Sequence, residues 1–250
     1  MVRFVLEKIR PGKGFAHFFH LSFVAVMPLI LFVLVRLEFD AVALAVLLLS
    51  KWRMFAVRPR HWLAHVRTNA VDIIVGLSFL AFMVDASSMN TQLLLVLLYE
   101  LWLLVIKPRS SVAMVSVQAL IAQFLGLVAL FYRFGDGELA LYVVAFWAVA
   151  YFSARHFFGS FDEAHPQLLS SIWAFFSASL MWILGHWLLF VGSVAQPAIL
   201  VTAIGYGFVA LYYLDQNDRL STLVRRQIVL TVFAIVFVMI AFSDWGDKAV

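Results

Sequence analysis

The chain has 250 residues, 64% of them hydrophobic and only 13% charged, against roughly 45–50% and about 25% in ordinary soluble domains, so a soluble globular protein is excluded: no core could hide this much apolar surface. The net charge of +4 does not point to nucleic acid, because Lys and Arg collect at the ends of apolar runs, where anionic headgroups attract them at about 1 kcal/mol each. The absence of cysteine excludes disulfides, thiolate nucleophiles, cysteine-ligated metals and covalently attached haem.

Taken in chain order, nine segments approach the roughly 20 apolar residues that a membrane-crossing helix needs. They are His17–Leu37, Phe39–Phe55, Thr68–Val84, Thr91–Ile106, Ser111–Tyr132, Leu139–His156, Leu168–Val191, Ala195–Leu214 and Val224–Phe242. The run after Gly14 is too long for a signal-peptide core and lacks a small-residue cleavage site, so it reads as the first span. The second segment, Phe39–Phe55, has the shortest apolar part and reads as a tilted or re-entrant element if it does not cross fully.

Between the second and third segments lies KWRMFAVRPRHWLAHVR, residues 51–67, in which five Lys or Arg and two His side chains are interleaved with Trp52, Phe55 and Trp62 and no acid. Basic loops stay cytoplasmic during insertion. With the N-terminus inside, 15 of the 18 Lys and Arg residues face the cytoplasm and three (Arg36, Arg133, Lys248) face outward. The expectation is an all-α, polytopic helical bundle of about nine spans, with a cytoplasmic N-terminus, the C-terminus outside, and residence in the plasma (inner) membrane. Lys51, Arg53, Arg58, Arg60 and Arg67 are the expected contacts for anionic lipid headgroups, with the rings lying in the interface.

No Pro-, Gly- or Ser-rich linker divides residues 1–250, which read as a single transmembrane domain. Within it, Val57-Arg58-Pro59-Arg60 and Ile106-Lys107-Pro108-Arg109 mark equivalent turns of a weak helical-hairpin repeat, 39–85 and 91–132. Proline readily opens a helix at such a turn, so the match also fits an ordinary basic turn used twice.

Ionisable groups inside a span cost about 2.5–3.5 kcal/mol on insertion scales and normally face a bundle interior. Asp72 lies roughly 6 Å into the third span, and Glu100 roughly 9 Å from the end of the fourth. Thr68, Asn69, Asp72 and Gly76 share one helical face, and Gln118, Ala122, Gly126 and Ala129 share another, while Gln123 points elsewhere. Glu100, Asp72, Asn69 and Gln118 are therefore the candidate lining of a cytoplasm-facing polar pocket. The bland alternative for Asp72 is an interfacial cap or a pair with Arg67 or Lys107. Ser170, Ala174, Ser177, Ala178 and Gly185 form a small-residue stripe on the seventh span, read as a close helix-packing seam, internal or toward another protein.

The histidines suggest no metal centre. Trp62, not Glu, follows His61, so the H-E-x-x-H pattern is absent, and His186 lies within a span without an evident partner. No metal or other cofactor is expected, and no complete family motif is present. The leading functional expectation is a small transporter or channel-like protein built around Glu100. One alternative is a non-catalytic scaffold or accessory subunit, with membrane-protein partners or a second copy of the chain. The other is a lipid-handling enzyme using Asp72, Asp215 and Asp218 beside the Arg-rich loop. Catalysis is least favoured, since no Ser-His-Asp order, phosphate-cradling Gly-rich loop or metal motif is found.

Overall fold

The computed structural model describes residues 15–51, 59–134, 137–161, 163–187 and 190–243. Among these, nine α-helices account for nearly all of the regular structure: α1 (Phe15–Arg36), α2 (Asp40–Leu49), α3 (Trp62–Asp85), α4 (Met89–Leu101), α5 (Val112–Arg133), α6 (Leu139–Phe158), α7 (Pro166–Gly185), α8 (Gln196–Gln216) and α9 (Thr222–Ala241). A π turn, Trp102–Ile106, extends α4, and a short hairpin of β1 (Phe190–Val191) and β2 (Val194–Ala195) precedes α8. Seven helices, α3 to α9 with the π turn counted in α4, are long and apolar enough to cross a membrane. That is the length and composition of an integral membrane protein.

Helix starts follow local chemistry. Ser88, Ser111 and Ser221 are extended N-cap residues whose hydroxyls accept from the backbone N–H of Thr91, Met114 and Val224 at 3.1, 3.4 and 3.3 Å. Each bond satisfies one of the amides a helix start leaves without a partner. Pro166 and Pro197 occupy the first turns of α7 and α8, where a missing N–H costs nothing.

Two of the apolar segments differ in extent from the helices they form. Among the described residues of Phe39–Phe55, the helix covers Asp40–Leu49, ten residues or about 15 Å, half the thickness of a bilayer core, and Trp52–Phe55 lie outside the described residues. The helix tightens as it ends: Ser50 Oγ donates to Leu47 O at 2.6 Å, and Lys51 N bonds Leu48 O. The segment Leu168–Val191 ends as helix at Gly185. There the His186 imidazole donates from Nδ1 to Trp182 O at 2.6 Å, taking one of the last free carbonyls. The chain then turns through the hairpin, whose Gly192 has φ +61° at the first central position of a two-residue loop. An Ala–Val–Leu hydropathy count cannot register either stop.

The chain divides into two compact units, Met1–His65 with Phe79–Ser110 and Val66–Ser78 with Ser111–Val250. In the first, α1 packs on α2, on α4 and on the π turn, around Leu31, Ala43, Leu47, Val96, Tyr99 and Trp102. Tyr99 stacks on Phe79 with centroids 5.1 Å apart. Gln92 closes the turn between α3 and α4, its amide donating to Met83 O and Ala86 O at 3.0 and 3.2 Å.

In the second unit, α6 and α7 form the most extensive helix pair, and α5 packs on α6 and α8. The seams are lined by small residues, as expected where lipid offers no hydrophobic drive and close van der Waals approach must hold helices together. A Cβ on Gly126 would come within 2.7 Å of Ile74 Cγ2 in α3 and 2.9 Å of Val149 Cγ1 in α6. Ser170, Ala174, Ser177 and Ala178 are buried, and a Cβ on Gly185 would collide with Leu139 of α6. α9 has no buried residue and meets α8 where Val232 lies against Gly207.

Candidate functional site

Among the four residues flagged as pocket lining, Asn69, Asp72 and Gln118 belong to the second unit and Glu100 to the first. Asp72 and Gln118 are buried, and Asn69 is half-buried. The Gln118 amide oxygen accepts from His156 Nε2 at 3.1 Å, tying α5 to α6. Ala122, Gly126 and Ala129, the small residues of the Gln118 face, are buried with it. Glu100 is half-buried and sits directly before the π turn, where Lys107 N bonds Trp102 O at 2.8 Å. Of the basic cluster, Arg60 and Arg67 are exposed, Arg60 donating from Nε to His61 Nε2 at 2.9 Å, and Lys51 is half-buried. Arg53 and Arg58 lie outside the described residues.

The second unit contains a concavity that the sequence did not disclose. α5, α6, α7 and α8 enclose a cavity of about 460 Å³, within the size range of small-molecule sites. Its wall takes Ala119, Leu120 and Gln123 from α5, Ser153, Ala154, Phe157 and Phe158 from α6, Leu169, Ile172, Trp173 and Phe176 from α7, and Ile204, Gly205, Phe208, Val209 and Tyr212 from α8. These positions share the half of the bundle in which α6 and α8 end and α7 begins. Among the described residues, none in the lining is Asp, Glu, Lys, Arg or His.

The deep wall is fixed by one buried amide. Gln123 Oε1 accepts from Trp173 Nε1 at 2.8 Å, and Gln123 Nε2 donates to Val201 O at 3.3 Å, so α5, α7 and α8 meet at a single side chain. Gly205 makes room for it: a Cβ there would lie 2.8 Å from Gln123 Nε2 and 3.1 Å from Trp173 Cζ2. At the other end, Tyr212 is surrounded by Phe157, Phe158 and Phe161 at centroid distances of 5.5, 5.3 and 5.0 Å. Its hydroxyl donates to Glu163 Oε1 in the turn between α6 and α7. The outer wall is apolar and open, with Ile172 57% and Phe208 59% exposed.

Ser153 is the anomaly in this lining. Buried helical serines elsewhere return their hydroxyl to the carbonyl four residues back: Ser78 to Ile74, Ser116 to Val112, Ser170 to Pro166 and Ser177 to Trp173, at 2.6–2.9 Å. Ser153 is 2% exposed, yet its Oγ has no hydrogen-bond partner among the described residues. A buried unmet hydroxyl costs about 1–3 kcal/mol, so it calls for an explanation.

The residues that build this cavity escaped sequence reasoning for an identifiable reason. Gln123 lies five residues beyond Gln118, off its helical face, and its partners are 50 and 78 residues away in the chain. The one local signal is the aromatic density around Ser153, in Tyr151-Phe152-Ser153 and Phe157-Phe158. Comparison with protein-family models, with curated proteins and with solved structures gives no match, so function rests on this geometry.

Proposed function

We propose that this is a membrane protein that takes a lipophilic guest into the cavity of α5–α8, and that it carries or holds that guest without transforming it. The supporting observation is a 460 Å³ apolar cavity with an unmet buried hydroxyl, at Ser153, inside helices of membrane-crossing length. Mostly apolar pockets with a few placed polar groups are the usual form of small-molecule sites. In a bilayer, the open wall at Ile172 and Phe208 would face lipid, the phase in which such a guest is dissolved. Among the functions open at the outset, this reading joins transport to lipid handling and sets catalysis and scaffolding behind them. Its test is native mass spectrometry of the purified full chain: co-purifying lipid should be carried by the parent protein and lost from Ile172→Trp, which crowds the open wall at an exposed position. Equal lipid retention by both would refute the reading.

A second reading, proton- or cation-coupled transport through Glu100, is favoured by one observation, the π turn that begins two residues after this half-buried carboxylate. Single-turn π segments inside helices are often functional. For topology we propose nine crossings with a cytoplasmic N-terminus in the plasma (inner) membrane, and anionic headgroups bound at Lys51, Arg53, Arg58, Arg60 and Arg67. The support is the 15-to-3 charge asymmetry; the 15 Å reach of α2 makes it the crossing most in need of a direct test.

A further inference from the structure

The geometry points to the chemical class of the guest: an uncharged lipid with an oxygen-bearing head, an alcohol or a carbonyl, bound with that oxygen at Ser153 and its tail leaving the bundle past Ile172 and Phe208. This rests on the proposal that the α5–α8 cavity is a binding site, and adds what the site selects.

Three observations carry it. First, among the described residues the lining has no Asp, Glu, Lys, Arg or His, so a phosphate, carboxylate or ammonium head would be desolvated there without a lining counter-charge. An unpaired charge in such a place costs far more than a neutral oxygen. Second, the polar side chains at both ends of the cavity are already engaged. Gln123 satisfies Trp173 and Val201 O, and Tyr212 is engaged with Glu163, which leaves the Ser153 hydroxyl as the lining group whose hydrogen bond is unmade. A serine hydroxyl both donates and accepts, so it suits an alcohol or a carbonyl; its Oγ is shielded from the cavity as it stands, and rotation about χ1 between staggered positions is the step that turns it toward the guest.

Third, depth favours an amphiphile over a pure hydrocarbon. Ser153 is five residues from the end of α6, about 7–8 Å along the axis, between the aromatic end at Phe158 and Tyr212 and the deep wall at Gln123. That level suits the head of a neutral lipid lying just beneath the headgroup layer. From there the open side at Ile172, Phe176 and Phe208 offers an apolar exit for the chain. The aromatic lining of Trp173, Phe176 and Phe208 supplies contact area without any further polar demand.

The test is photolabelling of the full chain in nanodiscs with a diazirine-bearing long-chain alcohol, competed by hexadecanol, palmitate or hexadecane. Hexadecanol should compete best and palmitate at least about tenfold less well. Ser153→Ala should weaken hexadecanol by about three- to tenfold, the value of one hydrogen bond, leave hexadecane unchanged, and be rescued by Ser153→Thr. Gly205→Leu and Ile172→Trp should abolish labelling, the second at an exposed position that leaves the helix seams intact. If both filling variants label normally, the binding site itself is wrong. If filling abolishes labelling but palmitate competes as well as hexadecanol, or Ser153→Ala affects alcohol and alkane alike, the site stands and the inferred class is overturned.

Discussion

The amide of Gln123 and the indole of Trp173 are joined by a 2.8 Å hydrogen bond between α5 and α7, and the same amide reaches Val201 O on α8. One polar side chain therefore holds three walls of an otherwise apolar cavity. Gln123→Leu keeps the volume but strands the Trp173 N–H. We predict a loss of about 1–3 kcal/mol in stability and a shifted tryptophan emission. Trp173→Phe in the Gln123→Leu background should cost less than in the parent, because the stranded donor is gone. Thermal unfolding in detergent measures both.

The contact of Gly126 with Ile74 and Val149 makes a second, separable prediction. Both neighbours are β-branched and have little room to move, so Gly126→Val should destabilise by about 1–3 kcal/mol through overpacking. Gly192→Ala has nothing within 4 Å and should cost only about 1–2 kcal/mol, from its left-handed backbone. A Gly126→Val variant as stable as the parent would mean that α3, α5 and α6 do not pack as described.

Topology is open to direct labelling, because the chain has no cysteine of its own. Single cysteines at Ser193 should react from outside the cell, and those at Arg109 or His165 only after permeabilisation. Charge reversal at Arg60 and Arg67 should weaken binding to anionic vesicles, or disturb orientation, without lowering the melting temperature. Labelling of Arg109 from outside would invert the proposed arrangement.

At Glu100, replacement by Gln preserves shape and most hydrogen-bonding capacity. We predict an unchanged melting temperature together with loss of any proton- or cation-dependent flux in proteoliposomes. A variant that retains such flux would remove the coupled-transport reading and leave the lipid cavity as the sole candidate.

What the sequence disclosed, and what it did not, follows from the range of each interaction. The membrane class and the helix start at Ser111 were legible because hydropathy and an N-cap hydroxyl act within a few residues, whereas the expected start at Leu168 lies two residues inside the helix that Pro166 opens. The extent of α2 was not, since its apolar run gives no sign that Ser50 turns back onto Leu47. Asp72 and Gln118 attracted attention as polar residues in apolar runs, and both are buried. Ser153 attracted none, because a helical serine normally satisfies itself on its own backbone. Its difference from Ser170 and Ser177 is visible only when the hydrogen bond is sought and not found. The cavity itself is a product of four helices, and no single segment encodes it.

The central claim is that a lipid occupies the space between α5, α6, α7 and α8. The most direct measurement is a high-resolution cryo-electron microscopy map of the full chain in nanodiscs of native lipid. The account predicts continuous elongated density in the cavity, ending within hydrogen-bond reach of Ser153 Oγ and emerging past Ile172 and Phe208. A cavity closed by repacked side chains, or one holding no density while the surrounding residues are well ordered, would contradict it.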